Sequence, residues 1–357
     1  MTVTSPRPRE RMISDYSGLL AKIKEEKLLA RTIPFYALVF AGTTLVGLLA
    51  WAGTFALASS WWVLIPALIL GICAAQYGFL AHEASHRQIF TSNKVNDWVG
   101  TILADAFVGL GYGWWMHKHN KHHANPNKVS RDPDIDINVL SFTPQSLASK
   151  KGVEKFFSKR QGALFPIFLL FTAFDMLFES YKALLNPKVR VKHRFVELAL
   201  ITGRVVTPIT IAFLIMPWFI AVAFLMVMMM SLGLFMGGAF APNHKGMPMI
   251  PKDMKVDFLR RQVLTSRNIK PGLLMDFFMG GLNYQVEHHL FPSMPRPHLK
   301  RAQQITEDYC RERGIAYTEV NLPTAYKSVV NYLTDVGLER NTIDPFDCPM
   351  LKMRYTT

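Results

Sequence analysis

Three short stretches hold most of the chain's 11 histidines, at spacings that suit a metal ion. They are His82-Glu83-Ala84-Ser85-His86, the segment from Gly113 through Trp114, Trp115 and His117 to His119-Asn120-Lys121-His122-His123, and Gln285-Val286-Glu287-His288-His289. A helix advances roughly 100° per residue, so His82 and His86 share a face one turn apart. His119, His122 and His123 stand at i, i+3 and i+4, and Gln285, His288 and His289 repeat that spacing. Neutral imidazole is the commonest metal ligand, and helices present it in such pairs. A lone pair of histidines says little. Three clusters, each beside an apolar segment, point to a metal site. His117 lies about 160° around the helix from His119 and is expected to pack or hydrogen-bond instead. His244 directly follows an apolar run and is a further candidate ligand, while His193 and His298 are expected at the surface.

Seven clustered imidazoles plus His244 exceed the needs of one tetrahedral zinc and suit two ions of higher coordination number. Nitrogen ligands exclude magnesium and calcium and leave iron, copper or zinc. A competing reading exists, because His82 to His86 also spells HExxH, the zinc metalloprotease motif in which Glu is the general base. An intramembrane protease would use one zinc and leave two clusters without a task. A metal transporter would be expected to carry its ligands near the bilayer midplane, whereas these lie at the ends of apolar runs.

The elements that must position these clusters read as membrane helices. Half of the 357 residues are hydrophobic, too many for an ordinary soluble enzyme of this size. Residues 34–58 carry no charge and, at about 1.5 Å per residue, can cross a bilayer core of about 30 Å. Ser59 and Ser60 turn the chain into a second run, 61–80, which leads straight into His82. Residues 195–216 and 218–240 form a second hairpin about Pro217. Arg204, inside it, is expected to snorkel or to pair within the bundle. Segment 99–113 is short, glycine-rich and broken by Asp105, and 163–178 contains Pro166 and Asp175; both are expected to lie at the interface. Were 99–113 to cross, the second cluster would face away from the first. The fold class expected is therefore an all-α integral membrane protein. Four transmembrane helices in two hairpins are joined by interfacial helices and a cytoplasmic helical cap carrying the clusters. Residues 1–33 form a cytoplasmic N-terminal segment, 34–310 the catalytic domain, and 311–357 a cytoplasmic tail, with amphipathic helices at 298–312 and 322–337.

The net charge of +14 sits in the N-terminal segment, the central loop and the last third, and the hairpin tips carry none of it. The positive-inside rule then puts all three clusters on the cytoplasmic side. Nucleic acid is excluded as a partner, since the charge is spread over loops and no binding motif appears. Cys73, Cys310 and Cys348 show no paired spacing, so reduced thiols are expected, and no signal peptide is seen. Arg260, Arg261, Arg267 and Lys270 are either a phosphate-binding patch or a solvated charge run. Asp132, Asp134 and Asp136 read first as turn residues beside Pro133, and second as carboxylates orienting an imidazole.

At these residues the chain resembles the membrane-bound fatty acid desaturases. That family's three boxes, HxxxH or HxxxxH, HxxHH and [H/Q]xxHH, correspond to His82–His86, His119–His123 and Gln285–His289. Trp114-Trp115, Pro126-Asn127, Gly281-Leu282-Asn283-Tyr284 and Leu290-Phe291-Pro292 are similar to its front-end, linoleoyl-CoA-desaturase-like subgroup and to bacterial members. The resemblance implies two iron ions held by the box histidines and His244 at the cytoplasmic face of a bacterial cell membrane. Gln285 stands where many relatives carry His, and is left as a weak ligand, a ligand through water, or a support. Asn283, Glu287 and Glu83 are supporting candidates, with Glu83 replacing a more usual Asp. Trp114 and Trp115 are candidate walls of an acyl channel, or interfacial anchors. The implied activity inserts a cis double bond into an acyl-CoA or acyl-lipid chain with reduction of O2 to water, at a front-end (delta-6-like) or delta-9 position. No His-Pro-Gly-Gly motif of a fused cytochrome b5 domain is found. A separate electron donor is therefore expected, a ferredoxin or a flavin/iron–sulfur reductase. A hydroxylase or ketolase of the same di-iron superfamily is the nearer alternative.

Overall fold

The computed structural model describes residues 15–136 and 140–340. The Pro/Arg-rich start and Cys348 lie outside them. Helix α1 (Asp15–Glu25) lies on the cap, and α2 (Ile33–Ala56) opens the first hairpin with Pro34 in its first turn. Proline is tolerated there because the first-turn N–H groups have no intrahelical partner. At the tip the Ser60 hydroxyl accepts the Trp62 N–H and starts a short turn that leads into α3 (Leu64–Ser85). The second hairpin is α9 (Arg194–Ile215) and α10 (Trp218–His244), broken where Pro217 interrupts the ladder. His244 is thus the last residue of a span-length helix rather than a residue beyond it.

Between the hairpins run α4 (Asn93–Ile102), a π-helical turn (Leu103–Val108), α5 (Tyr112–Ala124), α6 (Pro144–Ser149), α7 (Gly152–Lys159) and α8 (Gln161–Leu185). The segment expected at the interface over 99–113 is accordingly a broken element. The Asp105 carboxylate accepts the Tyr112 N–H at 2.9 Å, and Gly109 takes a left-handed φ of 90° that lets the chain turn into α5. The apolar run over 163–178, expected to be short, extends into α8, 25 residues long. Pro166, the sixth residue of α8, lies inside the helix and forgoes the N–H that would bond Gly162 O without ending it. Among the described residues, five helices are long and apolar enough to cross a membrane, α8 among them, one more than the sequence suggested.

The two ends of α8 have informative neighbours. At its start Gln161 Nε2 donates to Leu333 O and Ser141 O at 2.9 and 2.8 Å. Arg194, which begins α9, donates to the carbonyls of Ala183 and Leu184 at its end. The helices pack closely where side chains vanish. A Cβ at Gly71 would sit 2.4 Å from Met228 O on α10, and one at Gly233 would sit 2.6 Å from Leu170 O on α8. Small residues let helix backbones approach in this way in membrane bundles. Arg204 donates through Nε to Phe107 O at 2.8 Å, which ties α9 to the π-helical turn.

The cap is built from α11 (Phe258–Leu264), a two-residue parallel pair of β1 (Asn268–Ile269) with β2 (Glu319–Val320), α12 (Leu273–Phe278), α13 (Gln285–Leu290), α14 (Leu299–Glu312) and α15 (Leu322–Gly337). Leu19 and Ile23 of α1, Val263 of α11, Leu290 of α13 and Ala302 of α14 share one apolar cluster. Burying each large aliphatic side chain in it contributes roughly 1.5–3 kcal/mol. The two amphipathic helices expected near 298–312 and 322–337 are α14 and α15.

Candidate metal centre

Each cluster reaches the centre from a different element: His82 and His86 from the end of α3, His119, His122 and His123 from α5, His244 from the end of α10, and His288 and His289 from α13. They form two groups. His82, His86, His119, His123 and His288 make one, and His122, His244 and His289 the other, with ligand nitrogens within 4.8 Å of one another in each. In the first, His119 Nε2 is 3.1 Å from His82 Nε2 and 2.8 Å from His86 Nε2, and His288 Nε2 is 3.1 Å from His123 Nε2. In the second, His244 Nε2 is 3.3 Å from His122 Nε2 and 3.0 Å from His289 Nε2. The rings of His123 and His289 stack at 4.2 Å and join the groups.

The second group reveals its chemistry through its outer nitrogens. His122 Nδ1 donates to Asp132 at 3.0 Å, His244 Nδ1 to Thr265 O at 3.0 Å, and His289 Nδ1 to Gln262 Oε1 at 3.0 Å. The Gln262 amide is itself oriented, because its Nε2 donates to His123 O. With each imidazole neutral, that Nδ1 proton leaves its Nε2 lone pair directed inward, where the three converge. That arrangement repels unless a cation sits among the nitrogens, and outer hydrogen bonds of this kind orient metal-binding imidazoles. Burial and the neighbouring histidines hold His119, His123, His288 and His289 well below the usual imidazole range, so they stay neutral and able to ligate. Burial also opposes a charge on His122, but Asp132 and Asp134 beside it raise its pKa.

Asp132 therefore holds two roles, not the turn role alone. Its carboxylate takes the His122 proton and also the backbone N–H of Asn127 at 2.7 Å and of Asp134 at 2.9 Å. Asn127, in a left-handed conformation, donates its side-chain amide to His244 O. Asp134 pairs with Lys118 at 3.0 Å. Burial would raise its carboxyl, but Lys118, His122 and Lys245 hold it below the usual range.

The supporting candidates fall in different places. Gln285 stands at the second group, and its Nε2 lies 2.9 Å from His244 Nε2. Asn243 fixes that orientation by donating to Gln285 Oε1 while also bonding Ala239 O and Leu282 O. Gln285 thus turns an N–H, not an oxygen, towards His244. Glu287 faces away, accepting from Asn268 and Tyr317, with burial pushing its carboxyl up to about 7. Asn283 donates to Asp276 at 2.7 Å. Glu83 is held by both Nε and Nη2 of Arg296, at 2.6 and 2.7 Å. This buried bidentate pair occupies the carboxylate that the HExxH reading needs as a free base. Arg296, Gln262 and Thr265 were absent from the sequence reading, and no local spacing marks them.

Trp115 stacks on His119 at 4.5 Å and meets His82 edge-on, while Trp114 lies under Lys118. Trp115 and Phe240 flank His82 in an apolar cavity that continues along Gly78, Ala81, Ala104, Val108 and Met236. His117 is exposed and outside both groups. His193 and His298, expected at the surface, are half-buried: His193 packs on Trp98, and His298 donates to Leu28 O at 2.7 Å. Of the four basic residues Arg260, Arg261, Arg267 and Lys270, Arg260 pairs with Asp15 and Arg267 is buried and donates to Lys245 O, whereas Arg261 is half-buried and Lys270 exposed.

The fatty acid desaturase profile matches residues 59–321, all four histidine-bearing segments included. The chain belongs to the fatty acid desaturase family. It is 29% identical over 320 residues to the Delta(6)-fatty-acid desaturase fat-3 of Caenorhabditis elegans, covering 86% of this chain and 71% of that protein. It is 27% identical over 344 residues to an acyl-lipid (9-3)-desaturase of Physcomitrium patens, covering 92% of this chain and 64% of the relative. The Delta(5) fatty acid desaturase fat-4 of Caenorhabditis elegans is 24% identical over 261 residues, with 70% and 58% covered. The chain spans 58–71% of the length of these relatives, and less than two thirds of the Physcomitrium patens protein.

Proposed function

We propose that this chain is an O2-dependent fatty acyl desaturase, which places a cis double bond in an acyl-CoA or acyl-lipid chain. The observation that carries the reading is the pair of converging imidazole groups against one end of an apolar cavity. His82, His86, His119, His123 and His288 would hold one iron ion, and His122, His244 and His289 the other, with Gln285 beside them. Bound iron supplies the oxidising chemistry that O2 alone lacks towards an unactivated C–H bond.

The protein's own part is placement. Gly78, Ala81 and Ala104 line the small apolar cavity beside His82, and Trp115 and Phe240 stand on either side of that imidazole. Fixing two neighbouring methylenes beside the ligands turns an indiscriminate oxidation into a positional one. Relatives named as Delta(6) and Delta(5) desaturases favour a front-end position over the ninth carbon. Electrons would come from a ferredoxin or a flavin/iron–sulfur reductase meeting the basic face. A hydroxylase or ketolase would share the ligand set, but the named relatives favour desaturation.

The topology proposed is four crossings with the histidines on the cytoplasmic side. Supporting it, the start of α8 bonds to α15 of the cap, and its end bonds to Arg194 at the start of α9. A helix with both ends on one side lies along the membrane rather than through it.

Expression with O2 and a matched reductase, followed by mass-spectrometric location of double bonds in the lipids, tests the function. A new cis double bond is expected. A hydroxylated product with no new double bond would overturn the reading.

A further inference from the structure

Helix α12 presents apolar side chains that no other described residue covers. Leu273 is 93% exposed, Leu274 86% and Phe277 55%. The inner side of the same helix is firmly held: Gln76 Nε2 of α3 donates to Phe277 O at 3.0 Å, and Phe278 packs on Phe235 of α10 at 4.9 Å. Gln76 lies six residues before His82 on α3, so it sits about 9 Å further along that helix, on the membrane side of the metal centre. The carbonyl it binds shares that depth. Leu234 of α10 is itself 38% exposed and lies one turn before Gly238, where a Cβ would stand 3.7 Å from Phe278 of α12. Lys270, exposed, stands just before the turn into α12.

From this depth, and from continuity with the surface of a spanning helix, we propose that α12 is a membrane-seated wedge whose occupant is the acyl region of the lipid leaflet. Leu273, Leu274 and Phe277 dip beneath the headgroups, and Lys270 meets the phosphates above them. The wedge is coupled to the third histidine cluster. Asp276 accepts from Asn283 Nδ2 at 2.7 Å, and its backbone carbonyl from Gly281 N at 3.2 Å. Seating α12 in lipid therefore sets the depth at which α13 carries His288 and His289. The inference goes beyond the proposed desaturase activity and does not depend on it.

The full chain in phosphatidylcholine vesicles, with Cys348→Ser and a nitroxide at Leu274→Cys, tests this; Cys73 and Cys310 are buried. Accessibility to O2, which concentrates in lipid, is compared with accessibility to a water-soluble nickel chelate. Leu48→Cys on α2 serves as the lipid reference and Lys300→Cys on α14 as the aqueous one. The O2-to-nickel ratio at Leu274 is expected to match that at Leu48 and to exceed that at Lys300 several-fold, with Leu273→Cys giving the same result. A ratio at Leu274 like that at Lys300, with Leu48 in lipid, would overturn the wedge alone. Shielding from both reagents would also overturn it, because a protein surface would then be the occupant. Water exposure at Leu48 as well would overturn the membrane placement of α2 together with the wedge.

Discussion

Asp132 orders the outer side of the second histidine group, taking one imidazole proton and two backbone N–H groups. Removing such an outer partner costs roughly 10–100-fold in metal affinity. Asp132→Ala should show a loss of that size in iron competition titrations of the full chain; unchanged affinity would mean that His122 needs no orienting. The Glu83–Arg296 pair supports the first cluster differently, by tying the residue between His82 and His86 to the segment after the third cluster. Arg296→Met would leave the Glu83 carboxylate buried and alone, which costs about 3–5 kcal/mol. Thermal unfolding should report that loss, and adding Glu83→Met should recover most of it, because paired removal takes away the uncompensated charge. At this scale the sequence was legible only locally. Histidine spacing within a turn declared itself. Asp132 had a local cue, ten residues from its imidazole, whereas Arg296 lies 213 residues from Glu83 and Gln262 27 from His289.

Among the elements, the π-helical turn and α3 shape the cavity from opposite sides. Asp105 holds the turn, and burial pushes its carboxyl up to about 9. An unfolded Asp releases its proton near pH ~3.9. Between those values the folded chain keeps a proton that the unfolded chain has lost, so this residue's contribution falls as pH rises through that window. Asp105→Asn can still accept the Tyr112 N–H and carries no such proton. Its melting temperature should vary less between pH 5 and 9 than that of the parent, and an equal slope would count against a protonated Asp105. On the facing helix, a Cβ at Gly78 would already stand 2.8 Å from Met236 Sδ. Gly78→Leu should therefore close the lower cavity and shift products towards shorter chains, read by gas chromatography of acyl methyl esters; an unchanged chain-length profile would remove the cavity from the substrate path. Element length was the part misread from sequence. Pro166 and Asp175 made 163–178 look short, but one missing N–H and one carboxylate do not end a helix that packs on both α10 and α15.

For the molecule as a whole, the membrane count turns on α8. If it lies in the plane, an impermeant thiol reagent should label Arg160→Cys and Leu185→Cys from the same side, and labelling from opposite sides would restore a fifth crossing. The all-α plan and both hairpins were readable because uncharged length needs no partner to interpret it, whereas the side on which α8 ends depends on contacts made far along the chain. The same long-range construction has a meaning in time. His123 meets His288 across 165 residues of sequence. A ribosome adding about 5–20 residues per second takes roughly 10–30 seconds to bridge that gap. For that interval the first two clusters have been made without the third, and the centre closes only after the segment carrying His288 and His289 has been synthesised. The site is therefore completed late in synthesis rather than early.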